Sequence, residues 1–223
     1  MTFFQTLQAR TGAEREELLA APIIGRALDG RISLAEYAAF LSQAYHHVRH
    51  TVPLLMATGA RLPDRYGWLR AAVAEYIEEE IGHEEWILND LAACGYDKQA
   101  VRASRPARPT ELMVSYAYDT VQRVNPLGFF GMVHVLEGTS IRIADRAADT
   151  IRTSLGLPKK AFSYLYSHGA LDLQHVKFFE DLMNRIDDAA DQAAIVHAAR
   201  MFYGLYGDLF RSLEGAAAPA RAA

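Results

Sequence analysis

The chain has 223 residues, 51% hydrophobic and 22% charged, with a net charge of −4. That suffices for one sizeable core and leaves no basic excess for a nucleic-acid partner. The single cysteine, Cys94, excludes an intrachain disulfide and a thiolate metal cluster within one chain. The N-terminus lacks a charged segment followed by an apolar run, and no apolar stretch reaches spanning length, so the expectation is a cytoplasmic protein without a membrane partner.

Helical periodicity runs nearly throughout, punctuated by Gly and Pro, and no stretch shows convincing β alternation. The spacing predicts a short helix over about 13–28 that ends near Gly30. Ser33 reads as the N-cap of a long helix through Leu55 toward Gly59, kinked at Pro53. Pro63 and Asp64 open a helix that runs to Cys94 and stops at Gly95. Residues 96–108 read as a connector. Helices over 110–123 and 127–155 follow. Pro158 opens another, interrupted near Gly169, and a last helix covers about 189–213. Six or seven long helices with short connections predict an all-α bundle in one domain, 1–214, with 215–223 a disordered tail.

Three of these helices carry ionisable groups on apolar faces. In the helix after Pro158, His168, Asp172 and His175 fall at i, i+4 and i+7, within an arc of about 60°. Leu171, Phe178, Phe179, Leu182, Met183 and Ile186 form the apolar stripe around them. On the 64–94 helix, Leu69, Val73, Tyr76, Ile87 and Leu91 mark the buried face. Glu80 is at its centre, His83 at its edge, and Glu84 on the inward side. On the 127–155 helix, Glu137 sits within the stripe of Phe130, Val133, Ile141, Ala144, Ala148 and Ile151, with His134 at its edge. Buried charge is costly unless paired or bound to metal. No inward Arg or Lys stands opposite these groups.

The candidate ligands are therefore Glu80, His83, Glu137, His168, Asp172 and His175. Carboxylates can bridge two cations, and imidazoles favour iron over calcium or magnesium. Inward carboxylates and Glu-x-x-His pairs from facing helices are how bundles build dinuclear centres. A structural zinc site is disfavoured without thiolate. His46 and His50 lie opposite the face of Tyr37, Leu41, Val48, Val52 and Leu55. They read as a polar face or as pocket walls that hydrogen-bond a ligand carboxylate, and His134 reads as a partner behind a ligand.

Glu80-x-x-His83, Glu137 and His168-x3-Asp172-x2-His175, in this order, resemble the haem-oxygenase-like diiron oxidases, also described as iron-containing redox enzymes. The resemblance covers nearly the whole chain. It implies a seven-helix up-and-down bundle related to haem oxygenase, thiaminase II and pyrroloquinoline-quinone synthase. It implies two irons per chain with O2 as co-substrate, a homodimer, a small-molecule substrate and an electron donor left unidentified. Some members carry a further carboxylate before the first ligand histidine. Seven residues before His83 this chain has Tyr76, with Glu79 or Glu84 as the nearby substitutes. Members differ in substrate: some cleave fatty acids to alkenes, others modify amino-acid side chains. A branch that makes p-aminobenzoate from its own tyrosine and lysine has those residues where this chain has Leu136 and Ala147, which argues against that activity.

Three rival readings stay open. A metal-free thiaminase II or quinone-synthase-like enzyme would need, for thiamin chemistry, a nucleophilic cysteine; Cys94 stands at a helix C-terminus, where the dipole disfavours thiolate. A haem oxygenase would need a Gly-rich distal helix, and Gly128, Gly131 and Gly138 are sparse. An iron-binding module without turnover would keep the same ligands.

Overall fold

The computed structural model describes every residue except Leu171, Ala217 and Ala223, and over the rest of 168–175 it describes the backbone alone. Among the described residues the chain is all-helical, apart from an isolated bridge between Tyr96 and Arg221. It forms α1 (Phe3–Arg10), α2 (Gly12–Leu19), α3 (Pro22–Leu28), α4 (Leu34–Val48), α5 (Thr51–Arg61), α6 (Gly67–Glu80) and α7 (His83–Ala93). There follow α8 (Lys98–Ala103), α9 (Arg108–Asp119), α10 (Phe129–Leu155), α11 (Ser163–Ala170), α12 (Asp172–Asn184) and α13 (Ala189–Ser212). No described helix is long and apolar enough to cross a membrane.

There are more segments than the seven expected because several predicted helices are divided. The 13–28 helix is two, α2 and α3, and α1 precedes them, started by a reciprocal cap between Thr2 and Gln5. Ser33 and Glu36 make the same kind of cap at α4, as its sequence predicts. The break expected at Pro53 falls at Arg49 and His50 instead. Pro53 lacks the N–H that would bond the Arg49 carbonyl and its ring crowds that carbonyl, so the ladder fails one turn upstream of the proline. The long helix expected to end at Cys94 is divided at Ile81 and Gly82, where Gly82 has φ +91°. The connector contains α8, started by Asp97, whose carboxylate accepts from the Gln99 and Ala100 amides.

α10 and α13 form the central pair, with α11 against α10 and with α2 and α9 against α13. Their close approach depends on Gly131: a Cβ there would lie 2.6 Å from Ala199 N and 2.7 Å from Ile195 O. α4 packs on α7, and α5 on α6. Beyond α13 the chain returns to the end of α7. The Asp97 amide donates to Ala220 O at 2.9 Å, Ala222 donates to Gly95 O at 3.1 Å, and the Arg221 guanidinium lies 4.3 Å from the Tyr96 ring centroid.

Candidate metal centre

The last two turns of α6 present Tyr76 and Glu80 on one face, four residues apart. From α10, Val133, Leu136, Glu137 and Ser140 meet them. α4 adds His47, α5 adds Thr51 and Leu55, α11 adds Tyr164 and α13 adds Tyr206, and together these enclose one cavity. Two of the candidate ligands, Glu80 and Glu137, thus come from different helices into the same space. His83 is buried, with Nδ1 3.1 Å from Glu80 Oε2 and its ring 4.0 Å from Trp86. The Glu80–His83 pair is therefore brought together, but across the α6–α7 break rather than along one helix. Glu137 also lines a neighbouring cavity with Phe4, His134, Val176 and Phe179.

The side chains of His168, Asp172 and His175 lie outside the described residues. The helices that carry them are described, and both face Glu137's surroundings. Tyr164 on α11 lines the first cavity, and position 168 is one turn further on. Val176 and Phe179 on α12 line the second, and positions 172 and 175 are each one turn before them. Phe178 of α12 packs on Tyr76 at 5.5 Å. Among the described residues no three His, Cys, Asp or Glu side chains form a metal-holding group.

Tyr76 is 3% exposed, and its hydroxyl has no hydrogen-bond partner among the described residues. Burial, then the charges of Glu137, Glu79, Glu80 and Glu75, raise its pKa, so the phenol stays protonated. Neither Glu79, which is exposed, nor the half-buried Glu84 lines the cavity, so neither stands in for a carboxylate at Tyr76.

Of the other candidate histidines, His46 and His50 bond to neighbouring segments and His134 lines the second cavity with Glu137. His46 Nε2 is 2.9 Å from Ser104 Oγ and His50 Nδ1 is 3.1 Å from Tyr118 Oη, which ties this region to the α8–α9 connection and to α9. Neither lines the cavity; the residue between them, His47, does. Sequence reasoning missed it because the Tyr37–Leu41–Val48 line suggests one narrow stripe. α4 is in fact covered by both α7 and α9, so its buried arc is wider. His134 is buried among Phe4, Phe179 and Tyr203, with Nε2 3.4 Å from Thr11 Oγ1. Burial, then Arg15 and Arg142, lower its pKa to about 4. Cys94 is buried outside the cavity, its thiol pushed up to about 11 by burial and by Asp90.

The protein is similar in fold to several solved structures. One is a domain of unknown function with a haem oxygenase-like fold from Shewanella denitrificans OS217, with 22% identity, TM-score 0.84 and coverage of 95% of this chain and 92% of that one. A TenA homologue from Pseudomonas syringae pv. tomato DC3000 has 10% identity, TM-score 0.77 and coverage of 96% and 93%. The haem oxygenase of Leptospira interrogans has 16% identity, TM-score 0.75 and coverage of 95% and 100%. No curated protein sequence matches the chain. The model of one sequence family, "Iron-containing redox enzyme", matches residues 38–207, from α4 to α13. The chain, a haem oxygenase-like all-helical protein, therefore belongs to the iron-containing redox enzyme family.

Proposed function

We propose that this protein is an O2-activating, non-haem diiron oxidase or oxygenase of a small organic substrate, amino-acid-like or fatty-acid-like. Glu80, His83, Glu137, His168, Asp172 and His175 would hold two ferrous ions. The observation that carries this reading is the convergence of Glu80 and Glu137 on one cavity, with the His83 imidazole against Glu80. It is supported by α11 and α12, the helices that carry positions 168, 172 and 175, which contribute Tyr164, Val176 and Phe179 to the two cavities that Glu137 lines. The donor chemistry fits iron: clustered carboxylates and imidazole with no thiolate. In this reading the enzyme is cytoplasmic, homodimeric and served by a separate electron donor.

Bound irons would supply the electrons for O2 chemistry. The chain's own residues do the rest. Glu80 and Glu137 would balance the charge of the cations. Leu55, Phe129 and Met132 keep bulk water from the cavity, which strengthens each electrostatic contact inside it. Tyr76 holds a proton at Oη beside both carboxylates, the position of a neutral hydrogen-bond donor to whatever enters.

The rival readings lack such support. Cys94 is outside the cavity and its thiol is held protonated, so it is no thiaminase nucleophile. Gly128 and Gly131 serve contacts with Thr120, Ile195, Ala198 and Ala199, which leaves Gly138 as the one glycine of the three with open space beside it, too little for a Gly-rich face for haem. Anaerobic titration of the full chain with Fe(II) should saturate at about two irons. An O2 pulse should then give a transient absorbing species, which a binding module would not. Iron retained at full stoichiometry by the Asp172→Ala/His175→Ala double variant overturns the assignment.

A further inference from the structure

A second, more apolar space abuts the Glu80–Glu137 cavity. Ile24, Leu28, Phe40, Ile143, Ala147 and Phe210, from α3, α4, α10 and α13, contribute to its walls. Ser140, Tyr164 and Tyr206 belong to both linings, so their side chains form the wall common to the two spaces. Among the described residues one charged side chain, Glu36, lines the outer space. Its carboxylate is already engaged by Arg26 and by the Ser33 amide at 2.8 Å. A ligand there finds no free ionic anchor. What the space offers is removal of apolar surface from water, which favours hydrocarbon. Two hydroxyls of the lining, on Tyr37 and Thr139, donate to the Ala161 and Val135 carbonyls; three more, on Ser140, Tyr164 and Tyr206, stand on the common wall. Tyr164 and Tyr206 are neutral there, since burial raises both phenols. The carboxylates lie on the other side.

We infer that the outer space seats the unbranched aliphatic chain of an elongated ligand. The functional end of that ligand rests against Ser140, Tyr164 and Tyr206 and faces the Glu80–Glu137 cavity. The orientation rests on the inner cavity being the reacting centre; the seat for the chain does not. This narrows the substrate to a compound with an alkyl or acyl chain and disfavours a compact zwitterion.

The test uses iron-free, full-length protein titrated calorimetrically with straight-chain 1-alkanols of increasing length. A neutral head group leaves chain length as the variable. Binding should be saturable and tighten about fourfold per added methylene until the space is filled. Ala147→Phe and Ala27→Phe fill the space from α10 and α3. Each should weaken binding of the longest alcohol about tenfold or more while iron uptake stays at the wild-type value. An α,ω-diol of equal length should bind more weakly than the mono-alcohol. Affinity independent of chain length, non-saturable uptake, or variants that bind as tightly as wild type would overturn the inference. Wild-type protein that shows the chain-length series but takes up no iron would overturn the diiron reading and leave the aliphatic seat standing.

Discussion

Asp90 on α7 holds the first turn of α11 through Ser163. Its Oδ1 accepts the Ser163 amide at 3.0 Å together with the Ser163 hydroxyl, and Oδ2 accepts the Tyr164 amide at 2.9 Å. Asp90 is 0% exposed. It is thus the cap of a helix it does not belong to, and that helix delivers Tyr164 to the cavity. Asp90→Ala would leave buried donors unpaired, so urea unfolding should show a loss of about 2–4 kcal/mol. Asp90→Asn keeps one acceptor oxygen and should cost less. A loss below about 1 kcal/mol for the alanine variant would mean that water replaces the carboxylate at no net cost.

Metal uptake separates ligands from neighbours. Glu80→Ala and Glu137→Ala should each lower bound iron from about two to one or fewer per chain, with unchanged helical circular dichroism. Tyr76→Phe should leave the stoichiometry intact. It should also stabilise the iron-free protein by up to about 1 kcal/mol, since it removes a buried hydroxyl that has no hydrogen-bond partner among the described residues. Loss of iron in Tyr76→Phe would instead make the phenol a ligand.

How much of this could be read in advance differs from residue to residue. Glu80 and Glu137 were legible because each stands inside an apolar stripe, and a helical wheel resolves that directly. Ser33 and Glu36 were legible as a cap for the same local reason. His47 was not, because its burial depends on how many neighbours cover α4, a tertiary fact with no periodic signature. The Ile81–Gly82 break was hidden by glutamates and apolar residues that favour helix on both sides. Asp90 carries no local signal of its role, since its partners are 73 and 74 positions away.

Acid should destabilise the protein through its buried histidines. His134 and His46 both have pKa values lowered to about 4, chiefly by burial, with Arg15 and Arg142 adding for the first and Arg49 and His50 for the second. Both sit near 6.5 when unfolded. Between these values the unfolded chain binds more protons than the folded one. Stability is therefore complete above about pH 6.5, falls as pH drops, and stops falling from this cause below about pH 4. For His134 the whole effect is about 3 kcal/mol. Urea midpoints at pH 7 and pH 4.5 should differ less in His134→Gln than in wild type; equal differences would exclude His134 as the source.

Two glycines make opposite predictions. A Cβ at Gly131 would meet the Ala199 amide nitrogen, the Ile195 carbonyl and the Ala198 methyl, at 2.6, 2.7 and 2.9 Å. Two of these are backbone, so α10 and α13 would have to separate, and Gly131→Ala should cost about 2–3 kcal/mol. Gly204, on the exposed side of α13, has nothing within 4 Å of the same position. Gly204→Ala should stabilise by about 0.5–1 kcal/mol. Thermal unfolding of the two variants checks both signs at once.

The turn at Gly82 has a mechanical consequence. On an unbroken helix, the Cα atoms of a glutamate and a histidine three residues apart would be held at one separation by the same ladder of hydrogen bonds. Here Glu80 ends one rigid rod and His83 begins the next, with a left-handed glycine as the joint. The separation of their Cα atoms is a torsional variable, set by the backbone angles at positions 81 and 82. A centre built on such a joint can change the reach of its donors by rotating one rod, with no helical hydrogen bond broken.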